Sequence, residues 1–300
     1  MSDVCGHHRE QINRGETYAV RASACLAVAA TLIGACGGGT PAGPSNPAPV
    51  PAPVSAPAAM QRGGSTVDQP DDSAGNQVHV IYVLPSDGVD QNFDIDGTLS
   101  GSMQLAQNWF AGQTNGRHVR FDTYRGALDI TFVRRSRSDA QFLGFRMAIR
   151  EALAADLAAA GFTNQQKIYA VFYGGGSPRS GVQIPCGQGA YPVAAIYLAC
   201  LLDRSDVQAL IPVHGLSKIL GLGMIHEVFH NLGAVPSCAP HYTASHSGDD
   251  PRDIMVASLS GQLGTYRTEN FLPLLDAGRD DYYEHTNRGC LDIARSAFFE

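Results

Sequence analysis

The chain has 300 residues, 44% hydrophobic and 16% charged, with a formal charge of −7. An acidic balance without a basic stripe excludes a protein that grips nucleic acid by neutralising its phosphates. What remains is an apolar-rich chain, long enough after its N-terminal segments for one sizeable core.

Residues 1 to 35 read as a signal peptide. Arg14 and Arg21 supply positive charge, and the stretch from Ala22 to Ala35 is small and apolar. It is too short to span a bilayer comfortably and fits the apolar region of an export signal. Its end, Leu32-Ile33-Gly34-Ala35-Cys36, resembles a bacterial lipobox, which implies lipidation of Cys36 and a bacterial envelope or extracellular location, with contact to the membrane through the lipid alone. The competing reading is ordinary cleavage nearby, with Cys36 incidental. From residue 36 to 77, Pro, Ala, Gly and Ser dominate, which predicts a semi-stiff spacer without a core.

A folded domain is expected over residues 78 to 300. Val78 to Leu84 is a β-rich apolar run, a buried strand. Ser102 to Gln113 has apolar residues at helical spacing, with Trp109 and Phe110 on the core face. Val119 to Tyr124 and Leu128 to Val133 read as strands joined through Gly126. Asp139 to Ala160 reads as the longest helix, capped at Ser138 or Asp139 and stopped at Gly161. Lys167 to Tyr173 is another strand, and Ala194 to Leu198 a short one at a sheet edge near a cleft. His79 and His118 are read as surface or satisfied core residues, Gly174-Gly175-Gly176 as a turn, and Asp94-Ile95-Asp96-Gly97 as a surface turn rather than a calcium loop.

Four cysteines follow Cys36, an even number that fits two disulfides in an exported domain. Three pairings exist. Cys186 with Cys200 is favoured, closing a local hairpin, and Cys238 with Cys290, pinning a long loop to the C-terminal segment. The absence of C-x-x-C spacing disfavours a thiolate metal site.

The stretch that carries chemistry is His226-Glu227-Val228-Phe229-His230-Asn231-Leu232-Gly233. Residues four apart share one helix face, so His226 and His230 can present two imidazoles to one ion, with Glu227 offset to reach a bound water. The preceding run from Leu216 to Ile225 is apolar enough for a buried helix. Gly233 supplies a C-terminal stop, and Pro236 does not continue the helix. His241, His246, Asp249 and Asp250 follow, then Asp253-Ile254-Met255.

This pattern resembles the metzincin clan of zinc endopeptidases, strongly over residues 214 to 256 and elsewhere by element order alone. The resemblance implies an α+β fold: a mixed twisted sheet, two long helices and an irregular C-terminal subdomain. It implies Zn2+ held by His226, His230 and a third ligand, Glu227 as general base, Met255 in a turn beneath the metal, and a protein or peptide substrate. The clan's usual third-ligand position is Pro236 here, which binds no metal. His241 is placed ahead of His246 because its loop is shorter. Asp249 is a weaker candidate, and Asp249, Asp250 or Asp253 are candidates to orient a ligand histidine. Val256 and Ala257 stand where the clan often has a tyrosine. They leave open a second reading, a surface-tethered binding lipoprotein with an inactive fold of this kind, against which the intact Glu227 argues.

Overall fold

The computed structural model describes residues 64–257 and 272–300, all within the unit Pro57–Glu300. The expected signal segment, Cys36 and the spacer as far as residue 63 lie outside the described residues. The fold is mixed α/β, with a five-stranded sheet in the order β4-β1-β5-β7-β6.

Strands β1 (Gln77–Leu84), β4 (Ile130–Arg134), β5 (Lys167–Tyr173) and β7 (Val193–Tyr197) run parallel. Every residue of β1, β5 and β7 is buried, as expected of parallel strands covered on both faces. One face packs against α1 (Thr98–Gln113) and α6 (Leu216–Leu232), the other against α3 (Ile149–Ala159). Strand β6 (Gly187–Ala190) is the antiparallel edge beside β7. The short strand predicted at the edge is therefore one place further in. The strand outside it is rich in glycine and carries no β-propensity signal.

Other boundaries differ from expectation. The helix predicted over residues 139 to 160 is broken. Ser138 and Gln141 form a capping box that starts α2 (Asp139–Leu143), which is capped by Gly144. Arg146 then takes a positive φ of 54°, and a new helix begins at Ile149. The strand predicted over residues 119 to 124 shortens to β2 (Thr123–Tyr124), paired with β3 (Ala127–Leu128), because Val119 and Phe121 make only isolated bridges to Phe299 and Val78. Part of the predicted spacer also belongs to the fold. Ser65 bridges Thr131, the Gln69 amide donates to Asp129, and Asp68 and Asp71 pair with the buried Lys167. Neutralising that ammonium holds the segment down in spite of its composition.

Two further helices precede the motif helix: α4 (Leu198–Asp203) and α5 (Ser205–His214). His214 ends α5, and Gly215 separates it from α6 at a bend of 116°. Helix α6 crosses α1 closely at Gly221, where a Cβ would collide with the Ser102 carbonyl. Among the described residues no single helix is long and apolar enough to cross a membrane. Beyond Gly233 the described regular structure is sparse: the hairpin of β8 (Tyr242–Thr243) and β9 (His246–Ser247), and a 3-10 turn at Ile293–Arg295. This region is fastened by one disulfide and by carboxylates. Cys238 is bonded to Cys290, and Cys186 to Cys200 beside the β6–β7 hairpin.

Candidate functional site

Helix α6 places His226 and His230 one turn apart on the cleft side, their ring centroids 4.7 Å apart. The helix ends where expected. Gly233 is left-handed at φ 82°, and the Gly233 and Ala234 amides close on the carbonyls of His230 and Phe229. The chain then returns through the β8–β9 hairpin and delivers His246, whose ring lies 5.4 Å from that of His226 and 4.8 Å from that of His230. One nitrogen from each of the three rings falls within 4.8 Å of the others.

The histidine that the structure brings beside this pair is His246, whereas His241, favoured on loop length, lies with Asp249, Asp280 and Asp281. The difference in closure entropy between the two loops is too small to decide. Lengthening the loop after His230 from 11 to 16 residues costs only about 0.3 kcal/mol. Specific bonds outweigh it. The His241 amide donates to Asp281 at 2.8 Å, and its Nδ1 lies 3.3 Å from Asp281, 3.7 Å from Asp249 and 3.8 Å from Asp280. Asp281 also accepts from Ser247 Oγ, so it anchors the residue before β8 and the end of β9. The turn itself, Ala244-Ser245, has φ of 49° and 67°, which tips His246 back toward α6.

Carbonyl groups orient the rings. His226 Nδ1 donates to the Ile254 carbonyl at 2.6 Å, and His246 Nδ1 to the Ala244 carbonyl at 3.0 Å. A carbonyl only accepts, so both Nδ1 atoms carry the proton and each Nε2 keeps its lone pair. Nε2 of His226 lies 3.1 Å from Nε2 of His230. Burial pushes His226 down to about 4 and His230 to about 2, with the neighbouring imidazoles adding to the effect, and burial lowers His246 as well. All three are therefore neutral at pH 7, the form that ligates a metal. Two imidazole nitrogens shared by a tetrahedral zinc stand roughly 3.3 Å apart, so the His226–His230 pair has the spacing for a zinc ion, with His246 near enough to be a third donor.

Of the three aspartates expected to orient a ligand histidine, Asp249 and Asp250 bond elsewhere, and Asp253 acts on His226 through the turn that carries Ile254. Asp249 accepts from Ser247, and Asp250 pairs with Arg252. Asp253, fully buried, accepts the Met255 amide at 2.7 Å, the Ala277 amide at 2.9 Å and the Tyr282 hydroxyl at 2.8 Å. It thereby fixes the turn whose Ile254 carbonyl holds His226. Met255 is fully buried in that turn. Asp276 in turn accepts the amides of Tyr282 and Tyr283. Sequence reasoning missed Asp276, Asp281 and Tyr282, because nothing local to the motif points to residues more than forty positions downstream.

Glu227 follows His226 on α6, and its carboxyl lies against Gly187 of β6. It is 8% exposed, and burial pushes its carboxyl up to about 8. The cleft has a volume of about 1060 Å³ and is bordered by β6, α6, Tyr242, His246, Val256 and Ala257. The Tyr197 amide bonds to the Cys186 carbonyl. By the alternation of an antiparallel ladder, the Gly187 and Gly189 backbone groups then turn away from β7, toward the cleft.

No protein-family model matches the chain, and no curated protein matches it significantly by sequence. Among solved structures it is similar to archaemetzincin from Methanopyrus kandleri, at 15% identity and a TM-score of 0.36, over 64% of this chain and 88% of that one. It is similar also to wild-type OgpA from Akkermansia muciniphila, at 15% identity and a TM-score of 0.34, over 57% of this chain and 51% of that one. A catalytically inactive OgpA bound to an O-glycopeptide substrate gives 15% identity and 0.32, over 61% and 54%. This chain thus spans about half the length of either OgpA chain. The likenesses are too distant to carry a function.

Proposed function

We propose that this chain is a zinc-dependent endopeptidase of metzincin-like type. The observation that carries the reading is the convergence of three neutral imidazoles, His226, His230 and His246, beside the buried carboxyl of Glu227 in an open cleft. These three histidines would hold the zinc and leave a position open. A zinc ion there supplies acidification of a water molecule and polarisation of a substrate carbonyl.

The chain's own residues do the rest. Glu227 takes a proton from the attacking water and returns it to the leaving amine. The outward backbone groups of Gly187 and Gly189 offer an extended peptide a strand edge to pair with, holding its carbonyl over the site. Asp253 and Tyr282 keep the Ile254 carbonyl against His226, so that the ring does not rotate away. The protein works at the bacterial cell envelope, tethered through a lipid on Cys36.

The test is Glu227→Gln in purified full-length protein. It should retain bound zinc and lose hydrolysis of an unfolded protein substrate, while a chelator should abolish wild-type activity. Zinc binding without any chelator-sensitive hydrolysis in the wild type would favour the inactive binding lipoprotein instead.

A further inference from the structure

We propose that Gly187 and Gly189 are positioning residues that set Glu227 and His230 separately, through the side chains they lack. The inference rests on the peptidase reading for its catalytic consequence, but the contact itself does not. Strand β6 lies directly on α6. A Cβ on Gly187 would meet three atoms of one side chain, Glu227 Oε1, Cδ and Cγ. A Cβ on Gly189 would meet the Glu227 carbonyl and His230 Cβ. Neither glycine has a positive φ, so alanine is allowed at both by the backbone. The obstacle is therefore the collision alone, and it falls on a different functional group in each case.

The strand is held from its other side, so it has little freedom to retreat. Cys186, just before it, is bonded to Cys200. Gln188 projects to the opposite face, where it donates to the Met147 carbonyl at 3.0 Å and accepts from the Tyr197 hydroxyl at 2.6 Å. Arg150 donates to the Ala190 carbonyl at 2.8 Å. An added methyl at position 187 then pushes the Glu227 carboxyl from its place, and one at position 189 pushes the helix backbone and the His230 ring. The edge strand is thus a template for the general base as well as for a substrate.

The first measurement needs neither metal nor activity. Urea unfolding of zinc-free full-length protein is compared for wild type, Gly187→Ala, Glu227→Ala and the double variant. The loss of midpoint caused by Gly187→Ala should shrink by about half or more when Glu227 is already truncated, because the collision partner is gone. An equal loss in both backgrounds overturns the proposal. If Gly187→Ala does not fold, folding of the double variant supports the contact and its failure overturns it.

The second measurement separates the roles. Gly187→Ala should keep its zinc by mass spectrometry and lose ~100-fold in kcat with little change in KM. Gly189→Ala should bind zinc ~10-fold or more weakly against a chromophoric chelator. Full kcat in Gly187→Ala, or unchanged affinity in Gly189→Ala, overturns the assignment. A wild-type protein with neither zinc nor hydrolysis sinks the peptidase reading, while the unfolding cycle still decides the contact.

Discussion

Among the described residues, a half-buried cluster and a mostly buried one both contain the residue types that bind metals, and they differ in what their lone pairs are doing. In one, His226, His230 and His246 face one another across a cleft. In the other, His79 is surrounded by Asp68, Asp122 and Asp129 under the sheet. There His79 Nδ1 bonds to Asp122 at 2.6 Å and Nε2 to Thr131 at 2.9 Å. The Lys167 ammonium lies within 2.6 to 2.8 Å of Asp71, Asp122 and Asp68. That cluster already holds its cation, covalently attached to β5. Burial opposes charging Lys167, but its carboxylate partners more than offset this and push its pKa up. The difference teaches that a composition of ligand residues becomes a site only where the lone pairs converge on space rather than on one another.

Variants that break this distinction have graded expected effects. The largest is Glu227→Gln, which should lower kcat by about 10³-fold with zinc retained, checked by single-turnover assay beside metal analysis. Next, His246→Ala should weaken zinc binding by more than the ~10–100-fold typical of losing an outer partner, whereas His241→Ala should stay within that range. Equal effects at the two positions would return the third ligand to an open question.

Lys167→Met attacks the closed cluster. It leaves Asp68, Asp71 and Asp122 without their ammonium and should cost about 3–5 kcal/mol of stability by urea unfolding. Zinc affinity of the folded fraction should be unchanged. Loss of zinc from well-folded Lys167→Met would mean that the two clusters are coupled.

The smallest effect sharpens the role of Asp253. Burial raises its carboxyl from 3.8 to about 7, its hydrogen bonds opposing. The folded state therefore binds more protons than the unfolded state between those values, so this group's contribution to stability falls as pH rises from about 4 to 7. Asp253→Asn should flatten that slope while lowering stability overall by about 1 kcal/mol through a mismatched hydrogen bond. Urea midpoints at pH 5 and pH 8 read both, and a slope unchanged in the variant would contradict the shift.

Local rules made half of the site legible. The four-residue spacing of His226 and His230, the apolar run before them and the glycine after them are all contained in one helix, so periodicity and capping suffice. The strands β1, β5 and β7 were readable for the same reason, as unbroken apolar runs. The third histidine was not. The turn that aims His246 uses Ala244-Ser245 at positive φ, where sequence signals lead one to expect Asn or Gly. Its anchor, Asp281, lies 35 residues further along.

By itself, then, the sequence determined a buried helix presenting two imidazoles and an acid, and which side chains form its core. Only the tertiary structure decided which later histidine lies beside them, which aspartates serve the turn beneath, and that Gly187 and Gly189 face α6 at close range. Periodicity and capping are set within a few residues by the chain's own geometry. A ligand set is closed by contacts between segments whose separation carries no pattern.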